Sequence, residues 1–173
     1  MTDREKRFFL LVAADEDKSR LSAPSAFDRA VYRLANRRWG LNVRTRNRKA
    51  MRPGDEVVIY ASGKRQNGMT FVGHAAIASK PVPLTHDDRY NLDSPRQREP
   101  TTCCEAIQLR QARLFREPVP IKSVYRRFDW VRSPDSPRWA AALMGGAMHL
   151  TRHDFTVIVA AGMSKRRLVA CDP

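Results

Sequence analysis

The sequence predicts an α+β fold, a small curved β-sheet or barrel flanked by helices, and three observations carry that expectation. A short apolar run without turn residues, Phe8 to Ala14 (FFLLVAA), is bounded by charges on both sides and reads as a buried central strand. Two further runs rich in β-branched and aromatic residues, Glu56 to Ala61 and Thr70 to Ser79, are separated by a Gly- and Lys-containing loop, Ser62 to Met69, and read as an antiparallel hairpin. Helical patterns fall both between and after these strands, which gives mixed order rather than strict βαβ alternation.

The elements follow in order. After the polar loop Asp15 to Ser22, Ser25 and Asp28 have capping-box spacing. Phe27, Ala30, Val31 and Leu34 then recur at helical intervals, with Asp28, Arg29, Arg33, Asn36 and Arg37 on the other face, so an amphipathic helix is expected to end near Arg38. Between residues 37 and 52 lie Arg37, Arg38, Arg44, Arg46, Arg48, Lys49 and Arg52 and no acid. Arg44, Arg46 and Arg48 at i, i+2, i+4 would share one side of an extended segment and follow phosphates. Pro53-Gly54-Asp55 is turn chemistry ahead of the hairpin. Gly73 within a strand and Gly40 after Trp39 mark either a close approach to the backbone or a bulge.

Residues 81 to 100 are proline-bearing and polar and read as a long surface loop or excursion. Glu105 to Phe115 resumes a strand pattern, with Ile107 and Leu109 on the face opposite Ala112 and Leu114, so a bulge is expected near Arg110. Pro118 and Pro120 are expected to end that strand, with a helical turn at Ile121 to Arg126 beyond it. Phe128, Trp130 and Trp139 are large aromatics among Ser, Pro and Arg. Trp139 to Met144 reads as a short helix stopped by Gly145-Gly146, followed by a short strand at Met148 to Leu150. Thr151 and Asp154 have capping-box spacing for a last helix, with Gly162 placed as its C-terminal glycine.

Length and charge bound the function. A chain of 173 residues, 42% hydrophobic, suits one domain, taken as residues 1–164 with a basic tail at 165–173. Thirty-two Lys plus Arg against 18 Asp plus Glu give a formal charge of +14, a surface that concentrates polyanions and points to nucleic acid. No segment approaches the ~18 continuous apolar residues of a membrane span. The charged N-terminus has no signal-peptide pattern, so a soluble, cytoplasmic protein is expected. Cys103, Cys104 and Cys171 lack CxxC spacing and read as reduced thiols without a role. His149 and His153 at i, i+4 lack the Glu of a zinc-protease helix, so neither a metal nor a cofactor is expected.

The strand Phe8 to Ala14, WGLNVRTRN (Trp39 to Asn47), RPGDEVVIYASG (Arg52 to Gly63), TFVGHAAIAS (Thr70 to Ser79) and IQLRQARLFREPVPI (Ile107 to Ile121) together resemble the EVE domain, a member of the PUA-like group related to the YTH readers. The resemblance covers most of the chain in the right order. It implies a PUA-like curved β-barrel flanked by helices, with a cleft that takes a flipped, chemically modified base. It also implies site residues. Trp39 would be a wall or stacking surface, Asn42 would meet the base edge, and Tyr60 and Ser62 would form the rim. Phe9 stands where many relatives carry Trp or Tyr, and stacks without a ring hydrogen bond. Arg44, Arg46 and Asn47 would hold phosphate or line the mouth, and Arg48 and Lys49 extend that phosphate-binding set.

The expected function is therefore a non-catalytic reader of nucleic acid bearing a modified base, with modified cytosine in DNA, such as 5-methylcytosine, favoured. An RNA-binding PUA-like module acting on tRNA or rRNA uses the same basic surface and remains open beside it. An ASCH-like hydrolase or nuclease would need a G-x-K-x-x-E-x-R set, and Gly63-Lys64-Arg65-Gln66 lacks both the order and the acid. No Ser-His-Asp or Cys-His spacing is visible, and acids are scarce near the basic loop, against two-metal chemistry. Whether a nuclease partner is encoded separately stays open in the sequence.

Overall fold

The run Phe8–Ala14 is strand β1, and its unbroken apolarity has a simple cause: both faces of the sheet are covered. In the computed structural model, which describes residues 5–15, 23–95 and 97–164, β1 is followed by helix α1 (Ala26–Ala35), β2 (Arg38–Leu41), β3 (Glu56–Ser62), β4 (Thr70–Ile77) and the two-residue β5 (Val82–Pro83). Then come helix α2 (His86–Asn91), β6 (Glu105–Pro120), β7 (Ala147–Leu150) and helix α3 (Arg152–Met163). Short 3-10 turns at Arg48–Ala50, Ile121–Ser123, Tyr125–Arg127 and Pro137–Gly145 complete the chain. The sheet order is β2-β6-β4-β3-β1-β7, with β5 pairing the same Glu105 and Ala106 of β6 as β2 but from the opposite edge, where it continues the line of β4. Only β1 and β3 are parallel among these pairs. The result is a curled half-barrel with helices on both faces, the α+β class expected.

Side-chain alternation divides the core in two. Phe9, Leu11 and Ala13 of β1 join Val57 and Ile59 of β3 and the apolar side of α1 on one face. Phe8, Leu10, Val58 and Tyr60 join Val157 and Ile158 of α3 on the other. Curling depends on β6, which passes from β2 at one end to β4 at the other. Gln111 adopts a positive φ of 51° there, and the register with β4 shifts between Arg110 and Arg113. This is the bulge expected near Arg110. Its effect differs from the expected one: the extra residue returns Ala112 to the face of Ile107 and Leu109, and Leu114 is left 47% exposed.

Several other expectations are corrected. Pro118 does not interrupt β6, because a second register shift lets Val119 and Pro120 pair with Phe71 and Thr70, and the strand ends at Pro120, where the expected helical turn begins. Helix α1 stops at Ala35, and Arg37, with φ of 54°, turns the chain into β2, so the Trp-Gly pair is itself strand. The helix buries Ala26, Arg29, Ala30, Arg33 and Leu34, which puts Arg29 and Arg33 inside rather than on the solvent face. Residues 81 to 100 are not one surface loop: they include β5 and α2, whose Thr85 and Asp88 form a capping box, and bring Leu92 and Asp93 into the interior. Gly162 is inside α3, where a Cβ would lie 2.3 Å from the Phe115 ring, so it permits close packing instead of ending the helix.

The remaining local signals appear as expected. Ser25 caps α1 by accepting from Asp28 N at 3.1 Å, and Thr151 and Asp154 cap α3 reciprocally, each cap contributing about 1 kcal/mol. Gly146 stops the 3-10 turn with φ of 72°. His149 lies on β7 and His153 in α3, so they are not neighbours on one helix. The loop assigned to residues 16–22 and the tail at 165–173, with Cys171, lie outside the described residues.

Candidate nucleic-acid interface

A cleft of about 230 Å³ opens at the C-terminal end of β1. One side is Val12 to Asp15, and the floor comes from Arg29 and Arg33 of α1 with Trp39 and Gly40 of β2. Asn42, Thr45 and Gly146 form one rim, and Thr101, Thr102 and Cys103 the other. The volume falls below the ~300 Å³ lower end of pockets for drug-sized ligands. It suits a single planar ring.

The floor is built around a buried carboxylate. Arg33 Nε and Nη2 lie 2.6 and 2.5 Å from Asp93 Oδ1, and Arg29 Nε lies 3.8 Å from the same oxygen. Arg29 also donates to the carbonyl of Ala14 at 2.6 Å, tying α1 to the end of β1. The Arg33 guanidinium lies 5.1 Å from the centre of the Trp39 ring and 3.6 Å from Cys103 Sγ. Desolvated stacking of this kind contributes up to about 2 kcal/mol. Asp15 uses Oδ1 to accept from Ala26 N at 2.7 Å, holding the start of the helix against the cleft. Gly40 is needed because a Cβ there would sit 2.4 Å from Leu92 and 2.7 Å from Cys103 Sγ. The cleft thus combines guanidinium, hydroxyl, carboxylate and carboxamide groups, and the Trp39 indole borders it while only 1% exposed. These are the groups that hold a heterocycle by its face and its edge.

The loop after β2 is the basic rim. It is not the extended row expected for Arg44, Arg46 and Arg48. Residues 42 to 45 form a turn, closed by Thr45 N to Asn42 O at 2.9 Å, and Asn42 Oδ1 accepts from Arg44 N at 3.1 Å. Arg48 belongs to the 3-10 turn that follows, where it is half-buried, donates to Glu105 at 2.6 Å, and is spent holding the loop. Arg44, Arg46, Asn47 and Lys49 are exposed.

The expected base-contacting residues do not all converge. Trp39 and Asn42 line the cleft, with Asn42 Nδ2 donating to the Thr102 carbonyl at 3.3 Å. Phe9 is fully buried in the core beneath α1, and Tyr60 points to the opposite face of the sheet, against Phe71. Burial alone raises the Tyr60 hydroxyl to about 12. Neither ring reaches the cleft, because both lie on central strands covered on each side. Ser62 is half-buried at the end of β3 and pairs with Ala14, next to the cleft without lining it. Cys103, read as a reduced thiol without a role, is a free cysteine, buried and lining the cleft.

Sequence reading missed Arg29 and Arg33, yet a signal was present. Ala26, Arg29, Ala30, Arg33 and Leu34 recur at i, i+3, i+4, i+7, i+8, a helical stripe with two cations inside it. Asp93 carried no local signal, since it meets Arg33 across 60 residues. Among the described residues no cluster of His, Cys, Asp and Glu could hold a metal ion, and no helix is long and apolar enough to cross a membrane.

No curated protein sequence matches the chain. Among solved structures, human thymocyte nuclear protein 1 in complex with DNA containing 5-methylcytosine is similar, with a TM-score of 0.56 and 15% identity over 92% of this chain and 99% of that one. A Pseudomonas putida protein is similar with a TM-score of 0.53 and 20% identity over 90% and 99% of the two chains. A Leishmania major protein gives 0.54 and 11% over 91% and 95%. At these identities the likeness is one of fold, the PUA-like curled half-barrel. The family model of the EVE domain matches residues 22–161, which include the Arg29–Arg33 floor, the Trp-Gly strand and the Thr101–Cys103 rim. The chain belongs to the EVE domain family.

Proposed function

We propose that this protein is a non-catalytic nucleic-acid reader that accepts a flipped, modified base in the cleft beside Trp39, with modified cytosine in DNA favoured. The observation that carries this reading is the pairing of a one-ring cleft, bordered by Trp39 and floored by Arg29 and Arg33, with a rim of exposed cations at Arg44, Arg46 and Lys49. The bound DNA of the human EVE relative supports the choice of 5-methylcytosine as first ligand.

Energetics are consistent with a reader. Taking a base out of a duplex costs a few kcal/mol, and stacking on one aromatic returns ~1 to 3 kcal/mol. Edge hydrogen bonds in the cleft make up the balance. A single methyl group in an apolar notch contributes about 1 to 3 kcal/mol of discrimination. Backbone phosphates supply affinity without discrimination.

The test is a fluorescence polarisation titration against matched DNA and RNA oligonucleotides carrying cytosine, 5-methylcytosine, 5-hydroxymethylcytosine or N6-methyladenine. Thr102→Phe is the informative variant, because Thr102 is exposed and lines the cleft, so a larger side chain fills the space without entering the core. A preference for 5-methylcytosine DNA that Thr102→Phe abolishes is the expected result. A preference for RNA would assign the module to tRNA or rRNA instead. Equal binding of every oligonucleotide, insensitive to Thr102→Phe, would leave a general polyanion binder and end the reader hypothesis.

A further inference from the structure

The two most exposed large apolar side chains among the described residues, Met144 at 85% and Val43 at 64%, both lie on segments that border the cleft. Val43 follows Asn42, a lining residue, and Met144 precedes Gly145-Gly146, the second of which lines the cleft. The two segments are joined: Arg46 N donates to the Gly145 carbonyl at 3.0 Å, and Thr45 Oγ1 lies 3.4 Å from the place a Gly146 Cβ would occupy. An isolated exposed apolar residue needs no explanation. Here two lie on adjoining segments, each fixed by backbone hydrogen bonds.

That bonding is extensive for a surface turn. Val43 is the second residue of the turn closed by Thr45 N and Asn42 O, and Asn42 N donates to Thr45 Oγ1 at 2.9 Å. The Asn42 side chain ties the turn to Thr102, and the Val43 carbonyl accepts from Arg48 Nε at 3.2 Å. Arg48 is itself fixed by Glu105. The β-branched Val side chain is stiff at χ1, so the turn presents a rigid apolar knob between a cleft wall and the exposed Arg44. On the adjoining segment, Val12 N donates to the Gly146 carbonyl at 2.9 Å and fixes the turn bearing Met144 to β1.

We propose that Val43 and Met144 enter the base stack of a duplex and fill the space vacated by the base held in the cleft; this rests on the reader function proposed above. Apolar side chains inserted between base steps replace the stacking lost when a base leaves, and so hold the duplex open. Arg44 and Arg46, next to the wedge and exposed, would meet the phosphates on either side. A single strand has no stack to fill. The pair therefore makes the protein selective for duplex over single strand at equal base chemistry.

The experiment compares wild type with Val43→Ser, Met144→Ser and the double variant on a 20-base-pair duplex containing one 5-methylcytosine and on the matching single strand. 2-Aminopurine beside the modified base reports unstacking. Thermal melts confirm that these surface changes leave the fold intact. The expected result is a loss of about tenfold or more in duplex affinity for the double variant, and a smaller 2-aminopurine rise, with single-strand affinity within about twofold of wild type. Unchanged duplex affinity, or an equal fall on both substrates, overturns the wedge while selective single-strand binding keeps the reader function. If the wild type shows no preference for 5-methylcytosine on either substrate, both proposals fall.

Discussion

Two arginines and one aspartate determine what the cleft floor can do. Arg29 and Arg33 are 4% and 6% exposed and Asp93 is 3% exposed, with both guanidinium groups turned to the same carboxylate oxygen. Removing this charge leaves the buried Arg33 guanidinium without the carboxylate it is paired to. Asp93→Asn is therefore expected to cost about 3–5 kcal/mol of stability, read as a lower urea midpoint. The exposed Lys6–Glu56 pair has similar geometry, at 3.0 Å, but water screens it, and Lys6→Ala is expected to cost under about 1 kcal/mol. His74 is a separate titrating centre. Burial between the Phe115 and Phe155 rings holds its imidazole below the ordinary value, Glu56 raises it in part, and Arg113 lowers it further. The folded value is below the unfolded one, so above about pH 6.5 both states are neutral at this site and nothing changes. As pH falls beneath that, the unfolded chain takes the proton first and stability drops. His74→Leu is expected to flatten this part of the profile, measured as urea midpoints at about pH 7.5 and about pH 5.

Strand β4 shows how element packing constrains single residues. Gly73 pairs with Leu114 next to a register shift, and a Cβ there would lie 2.3 Å from the Arg113 carbonyl oxygen and 2.6 Å from Leu34 of α1. The near atom is backbone of the neighbouring strand, which cannot turn aside as a side chain would. Gly73→Ala is expected to cost about 1–3 kcal/mol and to lower the thermal midpoint. Both readings of this glycine from sequence, a bulge or a close approach, are met at once. Helix α2 is joined to β2 in a comparable way: Arg38 donates to Asp88 at 2.6 Å, and this bond, with the Thr85 hydroxyl, holds the Asp88 carboxyl well below the usual carboxylate range. The connection matters for the cleft, because α2 leads directly into Leu92 and Asp93, against which Gly40 and Arg33 pack.

The molecule as a whole carries a strong positive charge, a formal +14. Affinity for nucleic acid should therefore fall linearly on a log–log plot against salt. The double variant Arg44→Gln, Arg46→Gln is expected to make that slope shallower by about 1 to 2, since each lost phosphate contact removes ~0.9. Arg48→Gln should leave the slope unchanged and lower stability instead, because its guanidinium is committed to Glu105 and the Val43 carbonyl. Titration at several salt concentrations distinguishes the two kinds of arginine within one loop.

Sequence alone determined the class of fold, the central strand, the hairpin, the caps of α1 and α3, and the concentration of charge near Trp39. Each is written locally: an apolar run, a turn dipeptide, a Ser or Thr three residues before an Asp, a loop without acids. Tertiary structure decided which of these residues meet. Phe9 and Tyr60 looked alike as aromatic candidates, yet alternation sends them to opposite faces of a sheet covered on both sides. Arg29 and Arg33 looked solvated until Asp93, far along the chain, supplied the charge that allows them inside. Arg44 and Arg48 looked equivalent until a turn and one glutamate separated them. Burial of a charge depends on its counter-charge, and a counter-charge distant in sequence leaves no periodic trace. The cleft is made of such distant meetings, so its position followed from the fold and its chemistry from the pairs the fold created.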